Sequence, residues 1–136
     1  MTYVSIALRQ KVRALAEDEC EYCGLQERYA VKAHEVDHVR AEKHGGMTVL
    51  ENLCLSCFDC NRHKGSDLSS VDPVTDEVVP LFHPRRDLWD DHFRLADSGY
   101  IEGITAKGRV TAKLLDFNNP ERVGIRVTLM GLGRYP

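Results

Sequence analysis

The order of apolar and polar positions changes character several times along the chain. Between Ser5 and Ala16 the apolar residues Leu8, Val12 and Leu15 recur at helical spacing, and Ser5 stands where a helix N-cap belongs. This predicts an amphipathic helix. The stretch AHEVDHV, Ala33 to Val39, is too short for a helix before the turn-like HGGM and reads as a strand, with a second short strand at Leu53 to Leu55. A helical turn or short helix is expected from Asn61 to about Gly65, where Gly65 and Ser66 mark a break. Further on, Asp72, Pro73 and Asp76 suggest a turn, Val78 to Phe82 an extended segment interrupted at Pro80, and Tyr100 to Ile104 another strand. Thr105 is placed to cap a helix over Lys107 to Phe117, and Asn119 with Pro120 opens a last helix reaching about Met130. The expected class is α+β, with a seam near Ser66 to Asp72 that separates a core, residues 1–66, from a mixed α/β extension, residues 67–136, packed on it.

Composition narrows this picture only a little. A chain of 136 residues is one compact domain or a small core with an extension, and 43% hydrophobic with 29% charged residues is ordinary for a globular fold. Lys and Arg number 18 against 21 Asp and Glu, so the net charge of −3 gives no global positive field that would point to nucleic acid or an anionic membrane. Apolar runs fall far short of the roughly 20 residues that span a bilayer, and the N-terminus lacks a signal-peptide pattern. The expected location is the cytoplasm.

The five cysteines carry more information. Cys20 and Cys23 form CEYCG, while Cys54, Cys57 and Cys60 form CLSCFDCN with two overlapping CxxC pairs. Four thiolates in two such pairs match the tetrahedral shell of structural Zn²⁺. A residue tolerant of positive φ is favoured after the second cysteine of each pair; Gly24 follows Cys23 and Asn61 follows Cys60, whereas Phe58 follows Cys57. The expected ligands are therefore Cys20, Cys23, Cys57 and Cys60, with Cys54 a spare buried thiol.

Candidate chemistry is concentrated between His34 and Lys64. Asp37 and His38 adjoin in HEVDH, Asn52 lies in ENL, and Asn61 and Lys64 belong to CNRHK. In order along the chain, CEYCG, HEVDHV, HGG, ENLCLSC and CNRHKG resemble the HNH endonuclease family. The later DPVTDEVVPLFHPRRDLWDDHF and YIEGITAKGR are similar to the downstream region of a bacterial, notably cyanobacterial, group of small HNH proteins. The resemblance implies a ββα-metal (His-Me finger) site that hydrolyses phosphodiester bonds in nucleic acid, with DNA the expected form. It also implies that Asn52 braces the loop that orients the His38 ring, and that Lys64 occupies a phosphate-contacting position.

Elementary chemistry supports the same residues. Phosphodiester hydrolysis needs an activated water and a cation at the charged phosphate. The imidazole of His38 suits a general base near neutral pH. The carboxylate of Asp37 and the amide of Asn61 are hard oxygen donors that suit a catalytic Mg²⁺ or Mn²⁺. Family members often have His where this chain has Asn61, a departure that makes the site harder. Neighbours on a regular strand point to opposite faces, so the strand must end or twist at Asp37 and His38 for both to serve one site.

Other polar residues are open to two readings. Arg62 and His63 join Lys64 in a basic segment suited to phosphate or to a solvated helix face. His34 reads as a further ligand or a packed histidine, and His44 lies in a Gly45-Gly46 loop that is either a close backbone approach or a surface turn. His83 and His92 are expected in the core of the second half with Phe82, Trp89 and Phe93. Besides a nuclease, the alternative is a non-catalytic zinc-stabilised nucleic-acid-binding module, or a zinc-stabilised protein-interaction domain.

Overall fold

The computed structural model describes residues 3–136. Helix α1, Ile6–Ala16, begins where Ser5 Oγ accepts the Leu8 amide at 3.2 Å, the expected N-cap. Its buried face is the row Leu8, Val12 and Ala16 rather than the anticipated Leu8, Val12 and Leu15; Leu15 is 58% exposed. Spacing alone allows either row, because i+3 and i+4 neighbours lie on adjacent strips of a helix.

That face packs on an antiparallel pair, β1 (Glu35–His38) and β2 (Leu53–Ser56), in which Asp37 pairs with Cys54 and His38 with Leu53. Alternation divides the pair into two faces. Val36, Leu53 and Leu55 meet Val4, Val12 and Ala16 in one cluster. Cys54 points the other way and lies against Tyr22, its Sγ 3.7 Å from the phenol oxygen. All of β2 is buried, which explains its unbroken LCLS run. Helix α2, Phe58–Lys64, follows at once with Cys57 as its N-cap.

The second half consists of two further hairpins and three helices. Strands β3 (Ser69–Val71) and β4 (Val78–Pro80) are antiparallel, as are β5 (Phe93–Leu95) and β6 (Ile101–Gly103). A short α3, Trp89–His92, precedes β5. Helix α4, Ala106–Leu114, is capped by Thr105, and α5, Pro120–Gly131, is capped by Asn119 with Pro120 in its first turn. Helix α4 ends short of the expected Phe117 because Asp116 adopts a left-handed φ of 54°. The turn carries Phe117 back into the core, its amide donating to the Ala112 carbonyl at 3.0 Å.

One cluster joins the two halves. Cys20, Tyr22, Cys23, Cys57 and Cys60 share it with Phe82, Phe93, Ile101, Leu115 and Phe117. Aromatic rings run edge to face from Tyr22 to Phe82 at 6.4 Å and on to Phe93 at 5.3 Å, and Phe93 lies 5.6 Å from Phe117 in a tilted contact. Glu21 accepts both terminal nitrogens of Arg85, and the Trp89 indole donates to the Tyr22 carbonyl at 2.8 Å. Among the described residues no helix is long and apolar enough to cross a membrane.

Candidate metal centre and catalytic site

The thiol cluster follows from two tight turns. At the first, Gly24 takes φ 84° and donates its amide to the Cys20 carbonyl at 2.8 Å. The Cys23 amide points to Cys20 Sγ at 3.5 Å, and the Cys60 amide to Cys57 Sγ at 3.4 Å. Thus Cys20, Cys23, Cys57 and Cys60 converge, with all four sulfurs within 4.8 Å of one another. The second pair is not held by a positive-φ turn after Cys60. Asn61 lies inside α2 and takes no positive φ; the turn is made by Cys57 acting as helix cap.

Four sulfurs of this spacing could hold a structural metal such as zinc. Cys23 Sγ and Cys57 Sγ are 3.7 Å apart. The edge of a tetrahedron with Zn–S bonds of about 2.3 Å is about 3.8 Å. Hydrogen bonds from Cys20, Cys57 and Cys60 hold the Cys23 thiol well below its usual range, while Cys57 is pushed up by Cys20 and Cys23 and Cys60 by burial. Cys54 stays outside the cluster, a buried thiol whose burial raises its pKa.

Sequence reasoning missed Arg122. This residue, on α5, directs Nη2 to Cys60 Sγ at 3.0 Å while Nη1 donates to the carbonyls of Leu115 and Asp116. A guanidinium beside four sulfur ligands offsets negative charge that burial would otherwise penalise. Its only sequence signal is a basic residue two positions after a helix-opening Pro, far too common to single out.

Along β1 the side chains alternate, and the strand ends at His38 as required for the Asp37–His38 pair. The ring of His38 is held by Thr48, Nε2 to Oγ1 2.9 Å, from the connecting loop. That loop is closed by Asn52. Its Oδ1 accepts the Arg40 amide at 2.9 Å, and its Nδ2 donates to the carbonyls of Arg40 at 3.0 Å and Met47 at 2.8 Å. Gly46 packs so closely that a Cβ there would sit 1.7 Å from the Arg40 carbonyl oxygen, so the HGG loop is a close approach and not a free surface turn.

Asp37 is half-buried, and burial raises its carboxyl pKa, opposed by the charge of Lys64 and by the His38 amide. Asn61, on α2, donates Nδ2 to Glu35 Oε2 at 2.6 Å, which leaves its amide oxygen as a donor to a cation. Glu35 is a second residue the sequence reading passed over. It lies two positions before Asp37 on the same strand face, a period-2 signal that would have found it. Asp37, Asn61 and Glu35 are oxygen donors suited to Mg²⁺ or Mn²⁺.

Lys64 departs from expectation. It is 2% exposed and donates Nζ to the Val39 carbonyl at 2.8 Å, so its charge acts on Asp37 and on the loop backbone, and a direct phosphate contact does not fit this arrangement. Arg62 is exposed with its guanidinium 5.9 Å from the Phe58 ring, and His63 lies 3.9 Å from Asp116. His34 is a packed histidine, Nε2 donating to the Leu25 carbonyl at 2.8 Å. His92 lies edge-on to Phe82 but is only half-buried at the margin of the core, whereas His83 lines a surface cleft.

Residues 20–67 match the family model described as HNH endonuclease. This segment is similar to an HNH domain. The match takes in both cysteine pairs, β1, the braced loop, β2 and α2, and it ends close to the expected seam. Within the HNH segment the paired strands and the following helix agree with a ββα-metal core. No curated protein and no solved structure matches the chain significantly.

Proposed function

We propose that the chain is a metal-dependent HNH endonuclease that hydrolyses phosphodiester bonds in nucleic acid, with DNA as substrate and His38 as general base. The observation that carries this reading is the fixing of the His38 ring by Thr48 at the end of β1, beside the half-buried carboxylate of Asp37. Engagement of Nε2 leaves Nδ1 as the nitrogen that takes a proton from the attacking water. The resulting hydroxide attacks phosphorus as the bond to the leaving sugar oxygen breaks, and that oxygen is protonated from solvent. Asp37 and the Asn61 amide oxygen would hold a divalent ion, Mg²⁺ or Mn²⁺, which when bound neutralises charge building on the phosphate. Asn52 contributes by position, since its three bonds fix the loop that carries Thr48. Lys64 holds the Val39 carbonyl next to His38 and sets the charge around Asp37. The four cysteines would hold Zn²⁺ as a structural ion.

The alternative, a non-catalytic zinc-stabilised binding module, has no use for an oriented imidazole beside a carboxylate. Protein freed of loosely bound metal but retaining zinc should nick plasmid or cut single-stranded DNA when Mg²⁺ or Mn²⁺ is restored. The His38→Ala protein should lose about 10²-fold or more of that activity at unchanged zinc content. Full cleavage by His38→Ala would overturn the assignment.

A further inference from the structure

A cleft of about 330 Å³ opens beside the braced loop, between the HNH segment and the second half of the chain. Val39, Arg40 and Asn52 from the HNH segment line the cleft together with residues 80–83, Arg86 and Asp87, and with Lys107 at the start of α4. Its lining has four cations, Arg40, Lys64, Arg86 and Lys107, against two carboxylates, Asp67 and Asp87. This is a local positive surface on a chain whose net charge is −3. The cations also differ in how far they are committed. Lys107 is paired with Asp87 at 3.0 Å, and Lys64 is bound to a carbonyl. Arg40 spends only Nε, on the His44 carbonyl at 2.6 Å, which leaves its terminal nitrogens. Arg86 is exposed, and no ion pair engages its guanidinium among the described residues. Beside it, His83 accepts the Arg85 amide on Nδ1 at 3.2 Å, which leaves Nε2–H as a neutral donor.

We propose that this cleft is a phosphate-backbone subsite for the nucleic acid, in which Arg40 from the HNH segment and Arg86 from the second half grip consecutive phosphates while Lys107, held by Asp87, adds its charge at the wall. The inference rests on the endonuclease reading and gives the second half of the chain a part in it. Its physical basis is that paired guanidinium nitrogens match phosphate oxygens in number and direction. Arg40 lies two residues beyond His38, and Asn52 is shared by the cleft wall and the brace of the catalytic loop, so a strand held here lies next to the general base. Such contacts set register and affinity without reading sequence.

The test is binding of a fluorescein-labelled 20-base-pair DNA duplex to the full-length, zinc-loaded His38→Ala protein, followed by anisotropy between 50 and 200 mM KCl. Arg86→Ala and Lys107→Ala, each added to that background, should weaken binding several-fold on unrelated sequences. Arg86→Ala should also make the dependence of log K on log salt shallower by about 1, the signature of one lost phosphate contact. Arg86 is exposed, so its variant should melt like the parent and guards against misfolding of the Lys107 variant. Unchanged affinity and salt slope in Arg86→Ala would overturn the subsite, as would failure of the parent to bind at all at 50 mM KCl. Cleavage by otherwise wild-type protein separates the two ideas. If His38-dependent cleavage persists while Arg86→Ala binds normally, the cleft is wrong and the nuclease reading stands. If no cleavage occurs yet both variants lose affinity, the cleft stands and the nuclease reading fails.

Discussion

At the scale of single residues, the loop that follows β1 depends on one amide side chain. Asn52 satisfies three backbone groups at once, and each net hydrogen bond is worth about 1 kcal/mol. Asn52→Ala should therefore destabilise the protein by about 1–3 kcal/mol in urea denaturation, and cleavage should fall further than that loss explains because Thr48 is no longer held under His38. Asn52→Asp should be worse than Ala. The aspartate keeps an acceptor for the Arg40 amide but turns a carboxylate oxygen toward the carbonyls of Arg40 and Met47. If Asn52→Asp matched wild type in both stability and turnover, the bracing role would be wrong. Much of this was legible beforehand, since the motif order implied a bracing Asn and an orienting strand end. Thr48 and Arg122 were not, because a hydroxyl and a guanidinium at those places acquire meaning only from neighbours distant in the chain, whereas Glu35 could have been read from its period-2 position before Asp37.

At the scale of elements, capping residues and periodicity were reliable guides. Ser5, Thr105 and Asn119 each cap the helix that the sequence assigns to them, because capping is settled within one turn of chain. Strands β3 and β5 escaped notice while their equally short partners β4 and β6 were read, since SSV and FRL lack the β-branched or aromatic runs of the other two. The turn between β3 and β4 shows how such a short hairpin is held. Buried Asp72 accepts from the Val74 amide and the Thr75 hydroxyl, and both of its oxygens take nitrogens of Arg109 from α4 at 2.9 and 2.8 Å. The Arg109 guanidinium holds the Asp72 carboxyl well below its ordinary value of 3.8. The sign follows directly. A carboxyl lowered in the folded state stabilises above its unfolded pKa, and that contribution is lost as pH falls through the lowered folded value. Urea midpoints measured from pH 6 down to pH 2 should drop below about pH 4, and Asp72→Asn should start lower and lose part of that drop. An identical pH profile in Asp72→Asn would show that the hairpin does not depend on this ion pair.

At the scale of the whole molecule, the cysteine cluster and the second half are parts of one core. The thiols lie among Phe82, Phe93 and Phe117, Arg122 joins α5 to the Cys60 sulfur, and the Tyr135 hydroxyl donates to the Cys23 carbonyl. On the proposed zinc assignment, binding energy at the thiol cluster is folding energy, so Cys57→Ser or treatment with a chelator should unfold both halves together. Circular dichroism and the fluorescence of Trp89 should then report one shared melting transition. A second half that kept its own cooperative melt without zinc would show two separable units. Sequence patterning gave no hint of this dependence, since charge and composition do not change across residue 66 and the contacts that unite the halves are long-range.

Tyr22 stands in the two-residue spacer between Cys20 and Cys23, where almost any residue would satisfy the geometry of a knuckle. Here its ring abuts Phe82, its hydroxyl meets Cys54 and its carbonyl receives Trp89. Substitution in that small gap is therefore costly to the fold. A polar substitute or a one-residue insertion there would leave the cysteines free to ligate yet unseat the aromatic keystone on which the distant half of the polypeptide rests.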